Sequence, residues 1–196
     1  MDYSKFILPI KGALDGTGVL VGDLFITAGH VVMAFSSPSV NIDGETHYLS
    51  SKNRIYINNN SSKRSDGYDL AVYKLENVES PLVFSDDTPD MNANLINLSY
   101  EHVSEANPNY SGGFLESPSI EKWVLEINHG HAIRSIDNYF ECLMDNELCE
   151  GRSGSPLIVG NKVFGILCGD KDNKKSSKKV LFLSSKSIAN LIKDLL

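Results

Sequence analysis

No run in this 196-residue chain reaches the roughly 18 consecutive apolar residues that a membrane-spanning helix needs. The N-terminal "MDYSKFILPIKG" has an acidic second residue and only a short apolar stretch with no small-residue cleavage site after it, which argues against a secretory leader. Cysteine is scarce. The three residues Cys142, Cys149 and Cys168 are an odd number with no zinc-type spacing, so they read as small core residues in a reducing, cytoplasmic setting and not as a disulfide framework. Cations are outnumbered, 18 Lys and Arg against 25 Asp and Glu, and the net charge of -7 excludes a general affinity for nucleic acid or anionic membrane. The single basic cluster, "KDNKKSSKK" at 171–179, lacks aromatic residues and reads as a solvated loop. A hydrophobic content of 41% is far from that of a disordered chain, and the length allows one sizeable core or two small lobes.

What the sequence has is short apolar segments punctuated by Gly, Asn, Asp and Ser. "FILPI", "TGVLVG", "DLFITAGHVV", "RIYIN", "LAVYKL", "LINLSYEHV", "WVLEIN", "HAIRSID", "YFECLM", "SPLIVG", "KVFGILCG" and "KVLFLS" predict about a dozen strands in an antiparallel sandwich or barrel. Val21-Gly22-Asp23-Leu24 and Val159-Gly160-Asn161-Lys162 have the composition of two-residue hairpin turns. Turn residues are densest in "SDDTPDMNAN" at 85–94, which divides the chain into an N-terminal half, 1–88, and a C-terminal half, 89–196. After Ser184 the spacing of Ile188, Leu191, Ile192, Leu195 and Leu196 predicts a helix apolar on one face, with serines to cap it.

Three stretches carry chemistry. "CEGRSGSP" sets Ser153 between Gly151 and Gly154, whose missing side chains permit a tight turn and close approach of a substrate. The amides of Gly151 and Ser153 could then meet one oxyanion. "TAGH" ends an apolar segment with His30, a general base near neutral pH. "DLAVYKL" opens a buried-looking strand with Asp69, and an acid there is costly unless it is hydrogen-bonded. Ser155 lacks a glycine two positions upstream, and Asp66 sits in a polar loop, so both are weaker candidates. His129 and His131 in "NHGH" read as a turn in preference to a metal pair.

Thr-Ala-Gly-His, then Asp-Leu-Ala-Val opening a strand, then Gly-x-Ser-Gly-x-Pro, in that order, resemble the chymotrypsin/trypsin-like serine proteases. The resemblance covers nearly the whole chain, including the hairpin before His30 and the terminal helix. It implies an all-β fold of two six-stranded antiparallel Greek-key barrels with a C-terminal α-helix. It also implies a His30, Asp69 and Ser153 triad, an oxyanion hole from Gly151 and Ser153, an acyl-enzyme intermediate, and no metal or cofactor. Substrates would be proteins or peptides, and a regulatory protein partner would restrain an enzyme of this kind inside a cell.

The same resemblance exposes departures. Arg152 stands where zymogen members have an aspartate that pairs with a newly cut N-terminal amine, so that switch is expected to be absent. Cys168 stands where many relatives have a serine that hydrogen-bonds the catalytic aspartate, and a thiol is a weaker donor. Glu147 falls at the base of the family's primary specificity pocket, with Asp170 near its wall and Glu150 near its rim, which implies cleavage after Arg or Lys. Two alternatives accompany the endopeptidase reading. One is a catalytically idle binding module; the other is an HtrA-like stress protease without the peptide-binding domain, disfavoured because the chain ends soon after Ser184.

Overall fold

The structure is a computed structural model that describes residues 3–11, 16–33, 37–58, 68–91, 93–106, 119–148, 151–170 and 177–195. After a 3-10 turn at Ser4–Phe6 come β1 (Ile7–Ile10), β2 (Gly16–Val21) and β3 (Leu24–Thr27), then a short helix α1 (Gly29–Met33). A hairpin of β4 (Ser39–Ile42) and β5 (Glu45–Tyr48) follows, then β6 (Arg54–Asn58) and β7 (Leu70–Lys74). The second half holds β8 (Val83–Phe84), β9 (Leu95–Ala106), β10 (Ser119–Ile136), β11 (Tyr139–Leu148), β12 (Pro156–Val159), β13 (Lys162–Asp170) and β14 (Ser177–Ser184), and ends in α2 (Ser185–Leu195).

The all-β body with one terminal helix is as the sequence predicts. In the second half, β12, β9, β10, β11, β14 and β13 pair in that order, and β13 pairs back with β12, so six strands close into a barrel. In the first half the described strands form a five-stranded sheet, β1-β2-β3-β7-β6. The β4–β5 hairpin joins it through paired backbone hydrogen bonds between Lys11 and Ser39, at 2.9 and 3.0 Å. The chain reaches the second barrel before the expected 85–94 connection, because β8 already runs parallel to β13, with Val83 opposite Lys162.

Both predicted hairpins form, and in each only the glycine takes positive φ, 59° at Gly22 and 60° at Gly160, as a turn with Gly in its first central position requires. A third tight turn, at Asp43 and Gly44, has both residues at positive φ and joins β4 to β5. The "DG" pair was its signal, missed between segments of weak hydrophobic alternation. One turn expectation fails. "NHGH" lies inside β10, which runs unbroken where the sequence suggests two strands. His129 pairs across to Ile96 and His131 to Leu143. Gly130 is needed there for packing, since a Cβ would stand 2.6 Å from the Leu143 carbonyl oxygen. The "KDNKKSSKK" stretch also differs in its second half, where Lys178 and Lys179 are exposed residues of β14.

Strands apolar on both faces explain how two barrels share one protein. Leu20, Phe25, Ala71 and Tyr73 point into the first lobe, while their neighbours Val19, Val21, Ile26, Leu70 and Val72 point outward into a second apolar cluster. That cluster is the seam. It also takes in Ile158, Val163, Ile166 and Leu183 from the second half, and Ile188 and Ile192 from α2. The second barrel fills separately with Leu95, Phe140, Cys142, Met144, Leu157 and Phe182, the two phenylalanine rings stacked 6.0 Å apart. Ser184 caps α2, accepting from the Ser187 amide at 3.2 Å, and Ser185 ties the helix to Ser85 O at 2.7 Å.

Candidate active site

Asp69 is buried immediately before β7, with 1% of its side chain exposed, and both carboxylate oxygens are used by one residue. Its Oδ1 accepts the backbone amide of His30 at 2.9 Å and its Oδ2 lies 2.7 Å from His30 Nδ1. His30 is therefore held at two points, its backbone amide and its ring Nδ1, and an ionised carboxylate at Nδ1 favours the tautomer that leaves Nε2 free to accept a proton. Local sequence makes this approach possible. A Cβ on Gly29 would lie 1.8 Å from Asn58 O and 3.1 Å from the Leu70 amide, so only glycine lets α1 settle onto β6 and β7 beside Asp69.

The Ser153 turn meets the first sheet from the second half of the chain. The Ser153 carbonyl accepts the Thr17 amide at 3.0 Å, which fastens the turn to β2 of the first sheet. Gly154, at φ 85°, lies so tightly against β2 and β3 that a Cβ would stand 2.2 Å from Thr17 O and 2.8 Å from the amide of Ala28, two residues before His30. Gly151 takes φ 92° on the other side. Within this turn Ser155 N donates to Arg152 O at 3.0 Å and Gly154 N to Leu167 O at 2.8 Å. Among the described residues the amides of Gly151 and Ser153 donate to nothing, and no hydrogen bond joins Ser153 Oγ to His30. Ser155 is fully buried, its hydroxyl accepting from Asn97 Nδ2 at 2.8 Å, so it is a structural residue. Asp66 lies outside the described residues.

The matching family model is Trypsin, over residues 8–192. The chain belongs to the trypsin family. No curated protein sequence matches it. Among solved structures this trypsin-family chain is similar to the active form of the Rv3671c protease from M. tuberculosis, at 16% identity and a TM-score of 0.64, over 98% of this chain and 82% of that one. It is similar to an inactivated protease paralogue of the scabies mite, at 12% identity and a TM-score of 0.66, over 97% and 91% of the two chains. The HtrA-type protease AlgW is a third, at 14% identity and a TM-score of 0.65, over 97% of this chain and 60% of that one.

Against that family background the Cys168 expectation needs correcting. The thiol donates to the backbone carbonyl of Asp69 at 3.4 Å and to Ile166 O at 3.4 Å; neither bond is to the carboxylate. The orienting partner is instead the amide of His30. Burial and the Asp69 charge push the thiol of Cys168 well above its usual range, so it stays protonated.

The three acids proposed for the specificity pocket fare differently. Glu147 is exposed near the end of β11, and its carbonyl oxygen accepts from Arg152 Nη1 at 3.5 Å. Glu150 lies outside the described residues, and Asp170 ends β13 opposite Val180 with its side chain outside them.

Sequence reasoning missed two groups. Thr17 is fully buried; its hydroxyl donates to Gly151 O at 3.2 Å and accepts the Tyr100 amide at 2.9 Å. Nothing in "GTGVLV" marks it. Glu126 and Glu101 meet Arg152, with Nη2 2.6 and 3.8 Å from their Oε2 atoms. Here there was a signal, because Glu126 interrupts the apolar segment "WVLEIN" as Asp69 interrupts its own.

Proposed function

We propose that the protein is a serine endopeptidase that works by acyl transfer through Ser153, His30 and Asp69. The carrying observation is the two-point grip of Asp69 on His30, at 2.7 and 2.9 Å, opposite a glycine-flanked serine turn fastened to the same end of the first sheet. In this reading His30 Nε2 takes the Ser153 proton as Oγ bonds to the peptide carbonyl carbon. The oxyanion is met by the amides of Gly151 and Ser153, which have no other acceptor among the described residues. Collapse of the tetrahedral intermediate breaks the carbon–nitrogen bond and the proton passes from His30 to the leaving amine. Water then attacks the ester with His30 again as base, releasing the acid and restoring Ser153.

The substrates in this reading are specific protein partners within the cell, with a preference for Arg or Lys before the cut and a regulatory partner that restrains the enzyme. The free thiols of Cys142 and Cys168 support a reducing setting. The test is a fluorophosphonate probe with the adduct mapped by mass spectrometry. Ser153 is expected to carry it, Ser153→Ala to abolish it, and Asp69→Asn to slow it on the order of 10⁴-fold. An adduct on Ser155 would overturn the assignment.

A second reading is favoured by one observation: the hydrogen-bond chain stops at His30 and does not continue to Ser153 Oγ. A catalytically idle binding module would leave it so. Hydrogen bonds of this kind are often long before substrate arrives, and complete absence of probe labelling in the folded protein would decide for the idle module.

A further inference from the structure

Arg152 is an uncommon residue for its position in space. It is a cation with 4% of its side chain exposed, adjoining the proposed nucleophile. Its Nη2 lies 2.6 Å from Glu126 Oε2 and 3.8 Å from Glu101 Oε2, its Nη1 donates to Glu147 O at 3.5 Å, and its Nε has no partner among the described residues. The two glutamates stand on neighbouring strands in diagonal register, Glu101 opposite Val124 on β10 and Glu126 opposite Ser99 on β9. Diagonal neighbours on one sheet face bring long side chains together, and both carboxylates lie within 4 Å of the same guanidinium nitrogen, Arg152 Nη2. The guanidinium thus joins Glu101 and Glu126.

Such a cluster is a poor device for stability, because a buried ion pair replaced by apolar side chains of similar size is often neutral or better. Its place in the backbone gives it another use. The Arg152 carbonyl is turned toward the Ser155 amide at 3.0 Å. In a trans peptide the carbonyl and the following N–H point in opposite directions, so the same bond turns the Ser153 amide away from Ser155. Rotation of that peptide would remove the amide from any oxyanion, and Arg152 is the side chain anchored directly beside it.

We propose that Arg152 is a positioning residue, and that its ion pair with Glu126, steadied by Glu101, is an internal clamp holding the Gly151–Ser153 turn with its amides presented. The proposal rests on the acyl-transfer reading for its consequence on rate. The clamp itself is a statement about the turn. It makes the competent conformation a property of the folded chain, formed by β9 and β10, with no new terminus required.

Three variants of the full chain test it: Arg152→Met, Arg152→Lys and Glu126→Gln, each followed by thermal melting, fluorophosphonate labelling and amide hydrogen exchange across residues 151–155. The expected result is a melting temperature kept near that of the parent protein in Arg152→Met and Glu126→Gln, with labelling at least about tenfold slower and exchange in the turn at least about tenfold faster. Arg152→Lys, which keeps the charge, should recover part of both. Glu126→Gln is the deciding variant, since its half-exposed side chain changes charge and hardly changes size. Unchanged exchange in folded Glu126→Gln overturns the clamp, and so does unchanged labelling. Should the parent protein not label at all while exchange still rises in Glu126→Gln, the acyl-transfer reading falls and the clamp stands as a structural device.

Discussion

Thr17, on β2 of the first sheet, holds the proposed nucleophile's turn twice, its amide donating to Ser153 O at 3.0 Å and its hydroxyl to Gly151 O at 3.2 Å. The same hydroxyl accepts the Tyr100 amide of β9 at 2.9 Å, and Thr27 Oγ1 donates to the Thr17 carbonyl at 2.7 Å. One buried threonine therefore links the first sheet, the second barrel and the serine turn, and the link passes through backbone groups that have little other means of satisfaction.

Thr17→Val keeps the shape and removes the hydroxyl, leaving the Gly151 carbonyl and Tyr100 amide without that partner. Loss of about 2 kcal/mol is expected for two such groups, or roughly 5 °C in melting temperature. Calorimetry checks it, and a variant as stable as the parent protein would show that water replaces the hydroxyl.

The Cys168 contact with the Asp69 carbonyl predicts tolerance. Cys168→Ser supplies a better donor to the same acceptor without reaching the carboxylate, so probe labelling should change by less than about threefold. A tenfold change would mean that residue 168 acts on the acid after all. Cys142 gives a companion measurement, because burial, aided by the Glu141 charge, pushes its thiol up to about 12. At pH 8 its thiolate is then roughly a thousandfold rarer than in the unfolded chain. Site-resolved alkylation should find it inert until denaturant is added.

Glu101 provides a pH dependence of definite sign. Burial first, and then the hydrogen bond and charge of Glu126, raise its carboxyl above the ordinary carboxylate range, opposed by the attraction of Arg152. A folded state that holds a proton more tightly than the unfolded chain has that stabilisation in full below the unfolded value of about 4.3 and loses it as pH rises through the folded value. Glu101→Gln keeps the neutral form at every pH. Melting temperatures of variant and parent should coincide near pH 4 and separate toward pH 7, with the variant the higher of the two. A variant less stable at pH 7 would show the Arg152 attraction to be dominant.

Specificity should depend only weakly on Glu147. Its side chain is exposed, and solvent-exposed ion pairs contribute little, so Glu147→Gln should reduce any preference for Arg or Lys before the cut by at most about fivefold. A peptide library read before and after the change measures this. Complete loss of the preference would place the carboxylate in a closed pocket when substrate is bound.

The candidates His30, Asp69 and Ser153 could be picked from the sequence because each stands in a distinctive local context, a glycine before the histidine, an acid entering an apolar strand, a serine between glycines, and the structure pairs the first two. The unbroken apolar run of Val19, Leu20 and Val21 likewise fits a strand packed on both faces, and the period of the final residues encoded α2. Three features were decided elsewhere. The unbroken course of β10 through "NHGH" came from its neighbours, as β9 and β11 pair along it and a missing Cβ at Gly130 makes room for Met144. Thr17's hydrogen bonds to Gly151 and Tyr100 span separations that no window of sequence contains. The pairing of Arg152 with Glu126 was half visible, since each was a charge in an apolar or glycine-rich context that needed a partner. Which partner it met was settled by barrel closure, because only the register of β9 against β10 sets Glu101 and Glu126 side by side beneath the turn that carries Arg152.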